Sequence, residues 1–159
     1  MGATVEMGTR VVFDCNMYLQ ALRSPHGPAG RCVQLAFDEK ISLFISPSAI
    51  EELRDVVSRP KVIAKLQLVT ERVEEFISAV ESVATVIDGF PEVFRYERDP
   101  DDAHYVNLAL AADAKLIVSR DKDLLDLMNL TKSEGAEFHR DYPELLIVDP
   151  MQFLRGMGE

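Results

Sequence analysis

Four acidic residues, Asp14, Glu52, Asp102 and Asp121, each stand at the end of a short apolar run or early in the helical pattern that follows one. Asp14 closes RVVFD at residues 10–14, Glu52 follows ISLFI at 41–45, and Asp121 follows LIVS at 116–119. Asp102 opens the helical pattern reached by the loop after ATVI at 84–87. Carboxylates gathered from separate parts of a chain repel one another unless a cation lies between them. Hard oxygen donors of this kind suit Mg2+ or Mn2+. Such an ion binds a phosphodiester, activates water and stabilises the leaving oxygen. From the residues alone, the set reads as a site for metal-dependent phosphoryl transfer or hydrolysis.

The elements that must position these acids follow from the apolar pattern. Strands are expected at residues 10–14, 41–45, 84–87, 116–119 and 145–148, with helical stretches between them. Asn16 is the expected cap of a short helix to residue 22, and a second helix is expected over 31–39. Ser46 followed by Pro47 is a helix start, with serine as N-cap and proline in the first helical position. That helix should run to about residue 58, short of Pro60. A Glu-rich amphipathic stretch over 62–83 is expected to break near residues 68–70, and helices are expected over 101–113, 121–128 and after Pro150. Residues 129–144 show the least pattern and read as an excursion over the surface, while 1–9 read as a loose N-terminal tail to a single domain over 10–159. Strands alternating with helices mean a parallel α/β sheet with right-handed crossovers. In such a sheet every strand end and helix start lies on the carboxyl edge, where ligands bind. All four acids are therefore aimed at one rim.

Helical phase selects among neighbouring acids. At 100° per residue, Ala49, Ile50, Leu53, Val56 and Val57 share a face; Glu51 points away from it and Glu52 flanks it. Likewise Ala103, Val106, Ala109 and Leu110 define a buried side, which Asp102 flanks and Asp101 opposes. One acid in a first helical turn needs no function, because the helix dipole favours it there. Four converging on one edge need a different account.

The totals set the frame. The chain has 159 residues, 47% of them hydrophobic and 28% charged, and fits one domain with a sizeable core. No apolar run reaches the roughly 20 residues of a membrane span, and the N-terminus lacks the pattern of a secretory signal, so a cytoplasmic protein is expected. Cys15 and Cys32 make neither a disulfide framework nor a zinc site, and the three histidines show no ligand spacing. A net charge of -10 argues against adhesion to nucleic acid through a basic surface. It leaves room for a nucleic-acid enzyme with a metal-neutralised acidic site, and for a basic protein partner.

Several phrases carry a family resemblance. VVFDCN at 11–16, SPSAIEELRDVVSRPK at 46–61, DPDDAHYVNLALAADAKLIVSRDKDLL at 99–125 and LLIVDPMQFL at 145–154 resemble the PIN-domain proteins. The SRPK and DKDLL phrases are most similar to a VapC-like subgroup of toxin components from toxin–antitoxin systems. The resemblance implies a three-layer α/β/α sandwich with a central five-stranded parallel sheet of order 3-2-1-4-5. It also implies an Mg2+- or Mn2+-dependent endoribonuclease, an RNA substrate, a homodimer and a protein antitoxin reaching the acidic groove. The family's four acidic positions fall on Asp14, Glu52, Asp102 and Asp121, as catalytic residues and metal ligands. Asn16 and Ser119 take its supporting positions, and Asp123 stands close enough to share or replace the role of Asp121. Arg98, Arg120 and Lys122 lie near the same rim as candidates for holding the RNA backbone.

Rival readings fare less well. A haloacid-dehalogenase-type phosphatase would show a second Asp where this chain has Asn16, and a response-regulator receiver needs an acidic pair before its phosphoacceptor strand. The competitor from another class is a PIN-like interaction module with little or no nuclease activity.

Overall fold

A computed structural model describes residues 8–158. Most of the expected tail, residues 1–7, lies outside the described residues; next to it, the Gly8 N–H donates to Lys40 O at 3.0 Å and the Ser42 N–H to Thr9 O at 2.9 Å.

The element order is β1 (Arg10–Phe13), α1 (Cys15–Arg23), α2 (Pro28–Phe37), β2 (Ser42–Ile45), α3 (Pro47–Val57), α4 (Pro60–Leu66), α5 (Thr70–Val83) and β3 (Thr85–Val86). There follow α6 (Pro100–Ala111), β4 (Leu116–Val118), α7 (Lys122–Leu125), a 3-10 turn (Asp126–Met128), α8 (Ser133–Asp141), β5 (Leu146–Val148) and α9 (Pro150–Gly156). All pairings are parallel and the sheet order is β3-β2-β1-β4-β5, the three-layer α/β/α arrangement that the resemblance implies. Helices α1 and α2 pack on each other and α2 on α9, while α6 lies along β1, β2 and β4. No helix of the described residues is long and apolar enough to cross a membrane.

β1 is the central strand, and Val11, Val12 and Phe13 are at most 1% exposed. Its unbroken apolar run, in place of alternation, is what a strand covered on both faces requires. The chain leaves β1 toward β2 and β3, then crosses back over β1 to form β4. The switch in strand order therefore falls between β1 and β4, where a cleft opens at the carboxyl edge. Pairing puts Phe13 opposite Val118, so the next residues, Asp14 and Ser119, meet at the mouth of that cleft.

Three expectations need correction. The cap of α1 is Asp14 and not Asn16: Asp14 Oδ1 accepts the Met17 N–H at 3.1 Å, and Asn16 is exposed inside the helix. A carboxylate one residue past a strand that runs straight into a helix is already in capping position. α6 begins at Pro100, which makes Asp99 its cap. The 129–144 segment is only partly irregular, because α8 forms within it and buries Phe138. The break expected near residues 68–70 is present over 67–69, between α4 and α5, with Gln67 capping α4 at φ 53° in the left-handed region.

Candidate metal centre

The ends of β1 and β4 and the first turns of α6 and α7 supply the acids. Asp14, Asp102 and Ser119 are among the few polar residues in the buried interior. Ser119 donates its hydroxyl to Asp14 Oδ2, and its oxygen accepts the Asp121 N–H at 2.9 Å. One side chain thus ties the end of β1 to the loop that leads into α7. Asp121 in turn caps α7, its Oδ1 accepting the Asp123 N–H at 2.8 Å.

Asp99, Asp102, Asp121 and Asp123 each bring a carboxylate oxygen within 4.8 Å of the others. Asp99 was not selected by the phase argument, which began the helix at residue 101. Its signal was the Asp-Pro pair, an N-cap followed by proline at the first helical position. A cap side chain turns back toward the third helical residue, and Asp99 Oδ1 accepts the Asp102 N–H at 3.3 Å. That contact brings the two carboxylates together.

Asp102 is the most perturbed member. Its Oδ2 is buried and has no hydrogen-bond partner among the described residues. Burial, then the charges of Asp121 and Asp99, push its pKa up to about 8. Burial also raises Asp14, to about 6, against the lowering effect of its hydrogen bonds from Ser119 and Met17; the charges of Asp121 and Glu52 add to the rise. Clustered carboxylates on which burial and mutual repulsion hold protons are ordinary where a cation is to replace those protons. An all-oxygen set with an orphaned buried oxygen fits Mg2+ or Mn2+, as does the donor chemistry.

The expected acids therefore separate. Asp102 and Asp121 join the tight group, together with Asp99 and Asp123, and Asp14 adjoins it through Ser119 and Asp121. Glu52 lies outside that group and is exposed on α3. Its Oε2 accepts the Tyr105 hydroxyl at 3.1 Å, and the same hydroxyl accepts the Cys15 N–H at 3.2 Å. A chain of contacts from α1 through α6 thus holds Glu52 near Asp14. Exposed Asn16 lies two residues beyond Asp14 on α1.

The three basic candidates also differ from one another. Arg98 is engaged by acids: Asp123 at 2.7 Å, Asp126 at 2.6 Å and Glu134 at 3.9 Å. Lys122 is largely exposed and reaches Asp126 at 3.4 Å, while Arg120 is exposed beside Ser119. Asp126, drawn on by Lys132, Arg98 and Lys122, stays well below the usual carboxylate range. The Arg98–Asp126–Lys132 network braces α7 and the 3-10 turn under the acid cluster.

Fold and site together define an α/β domain of parallel strands with an acidic cleft at its switch point that could hold a cation. The PIN domain family model matches residues 10–123, and the chain belongs to that family, whose members are typically nucleases that use divalent metals. The chain is 33% identical over 123 residues, 77% of each chain, to the uncharacterized protein MJ1680 of Methanocaldococcus jannaschii. In fold it is similar to VapBC2 from Rickettsia felis, solved bound to a DNA fragment from its promoter. That likeness has a TM-score of 0.50 and 13% identity, and covers 89% of this chain and 98% of that one.

Proposed function

We propose that this protein is a metal-dependent endoribonuclease that hydrolyses RNA phosphodiester bonds, and that it is the toxin of a toxin–antitoxin pair. The observation that carries the nuclease reading is the orphaned buried oxygen of Asp102 inside a group of four carboxylates. Asp102, Asp121, Asp99 and Asp123 would hold Mg2+ or Mn2+, with Asp14 and Glu52 directed at the same rim. A bound ion of this type supplies charge neutralisation of the phosphate and a water of lowered pKa.

The chain's own residues set up the rest. Ser119 fixes the rotamer of Asp14 and the position of the Asp121 backbone at once. Tyr105 holds Glu52 on the near side of the cleft, so a carboxylate stands ready to accept a proton from the attacking water. Arg120 and Lys122, exposed at the rim, are placed to hold the RNA backbone; Arg98, committed to Asp123 and Asp126, serves to position them.

The toxin assignment is supported by the fold shared with VapBC2, a toxin–antitoxin complex. The net charge of -10 suits a basic antitoxin segment, and we place the protein in the cytoplasm as a homodimer.

The test is cleavage of single-stranded RNA in Mg2+ or Mn2+, with calorimetry of metal binding in parallel. Asp14→Asn and Asp102→Asn should each lower cleavage by about 100-fold or more, the loss expected when a charge that stabilises the transition state is removed. Equal cleavage by the variants would rule out this site. No cleavage by the unaltered protein, together with no heat of metal binding, would favour a PIN-like interaction module.

A further inference from the structure

We propose that the cavity of about 400 Å3 beside the acid cluster is a nucleobase subsite, selective for a base with an exocyclic amino group over uracil. The proposal rests on the ribonuclease reading and extends it from the phosphate to the base that is read.

Position comes first. The first turns of α6 carry Asp102 in the acid cluster, while Ala103, His104 and Asn107 of the same helix line the cavity. Ser46 and Ser48, at the start of α3, form another part of the wall. Tyr105, whose hydroxyl donates to Glu52 Oε2 at 3.1 Å, packs edge-on against His104 with ring centroids 5.7 Å apart, and Pro100 of the lining adjoins Asp99 of the cluster. On this proposal, a strand whose phosphate sits at the acid cluster places a neighbouring base in this cavity.

The lining has the chemistry of a base pocket. The rings of Phe90 and His104 lie 5.3 Å apart, tilted by 43°, and make an aromatic wall. Unstacked RNA bases are recognised by stacking on such side chains and by hydrogen bonds to their edges. His104 is fixed in place: its Nε2 lies 2.7 Å from Ser46 Oγ and 3.2 Å from Ser48 Oγ, and Ser46 Oγ also accepts the Ala49 N–H. That leaves Nδ1 as the ring nitrogen with no partner among the described residues. One turn along α6 from His104, Asn107 holds the segment after Glu92: its Oδ1 accepts the N–H groups of Val93 and Phe94 and its Nδ2 donates to Phe94 O. The cavity is thus preformed.

Charge narrows the ligand. The only charged residues of the lining are Asp88 and Glu92, both exposed acids. Such a cavity repels phosphate and carboxylate but accepts N–H donors. Carboxylates take hydrogen bonds from exocyclic amino groups, as with the N4 amino of cytosine. Adenine, cytosine and guanine each carry one; uracil offers a single ring N–H between two carbonyls. Asp88 Oδ1 is occupied by the Gly89 N–H at 2.8 Å, and Glu92 reaches Arg95 only at 3.9 Å. Glu92 is therefore the less engaged of the two acceptors.

Neutral nucleosides isolate this site from the acid cluster because they bring no phosphate. Adenosine, cytidine, guanosine and uridine would be titrated in turn into the chelator-treated full chain, with the His104 ring protons followed by NMR. The first three should shift those resonances saturably, with uridine about tenfold weaker. Phe90→Leu, which keeps an apolar side chain, should weaken binding about tenfold for all. Glu92→Ala, at an exposed position with no folding burden, should abolish the preference over uridine. No shift with any nucleoside, equal binding of uridine, or unchanged binding by both variants would overturn the subsite. RNA cleavage that keeps its rate and base preference in both variants would also overturn it while leaving the ribonuclease reading intact. Nucleoside binding by a protein that cleaves no RNA would sustain the cavity assignment and remove the ribonuclease reading instead.

Discussion

Two buried oxygens lack hydrogen-bond partners among the described residues, Asp102 Oδ2 and the Tyr18 hydroxyl, and their surroundings differ. Asp102 faces other carboxylates, a surrounding in which an orphaned oxygen is free to meet a cation. Tyr18 is packed edge-on against Phe13 and Phe76, with ring centroids 5.9 and 6.5 Å away, where no ligand is called for. Its hydroxyl is a desolvated group with nothing to offset the loss of water, and burial pushes the phenol well above its ordinary range. Tyr18→Phe should therefore stabilise the protein, by about 1–3 kcal/mol, as a shift of the urea midpoint at constant slope. A loss of stability would mean that the hydroxyl makes a bond essential to the fold. Asp14 and Asp102 can be placed from the sequence because strand ends and helix phase fix where they stand, whereas Ser119 enters only through the family resemblance. Asp99 cannot be placed so, because its role depends on α6 starting at Pro100. A one-residue difference in a helix start decides whether a side chain is a cap or a bystander.

At the scale of elements, strands and most helices were legible because each carries its own periodic or capping signal. Helix α8 was not. Its sequence, SEGAEFHRD, has Phe138 as its only large apolar residue and a glycine in its first turn. Tertiary contacts hold it instead. Phe138 packs edge-on against Phe94 and tilted against Tyr142, each at 5.3 Å between ring centroids, and Gly135 lets the helix backbone press onto the turn before it. A Cβ on Gly135 would lie 2.0 Å from Asn129 O, and one on Gly30, at the start of α2, 2.2 Å from Pro25 O. Both close approaches are to backbone, which cannot swing aside as a flexible side chain would. Gly135→Ala and Gly30→Ala, which improve helix propensity in isolation, should each destabilise the fold by about 1–3 kcal/mol. Denaturant unfolding measures this directly, and a gain of stability in either variant would show that the neighbouring loop yields. Gly135→Ala should also loosen the brace under the acid cluster, since Glu134 and the 3-10 turn both meet Arg98.

At the scale of the whole molecule, the acid cluster couples folding to protons and, on the proposed function, to metal. The Asp102 pKa rises from 3.8 to about 8 in the folded protein. The folded state therefore holds a proton that the unfolded chain has released, over the whole interval between those values. Where the folded state binds more protons, stability falls as pH rises. The contribution of Asp102 is complete below about pH 4 and is lost as pH climbs through 8. Asp14, raised to about 6, acts in the same sense but is spent earlier. His104, lowered by burial, acts in the opposite sense below its ordinary value of 6.5. Between pH 6.5 and 8 the Asp102 term is therefore the one expected to dominate. In chelator, the melting temperature should fall across that window, and Asp102→Asn should flatten the fall. Saturating Mg2+ or Mn2+ should restore the lost stability, with a larger gain at pH 8 than at 6.5, because at the lower pH the ion must displace a proton more firmly held. Asp102→Asn should lose most of that gain at either pH. A metal-free melting temperature that stays level or rises from pH 6.5 to 8 would mean that Asp102 ionises freely. The acids at the carboxyl edge would then be solvated charges, with no need of a cation to hold them together.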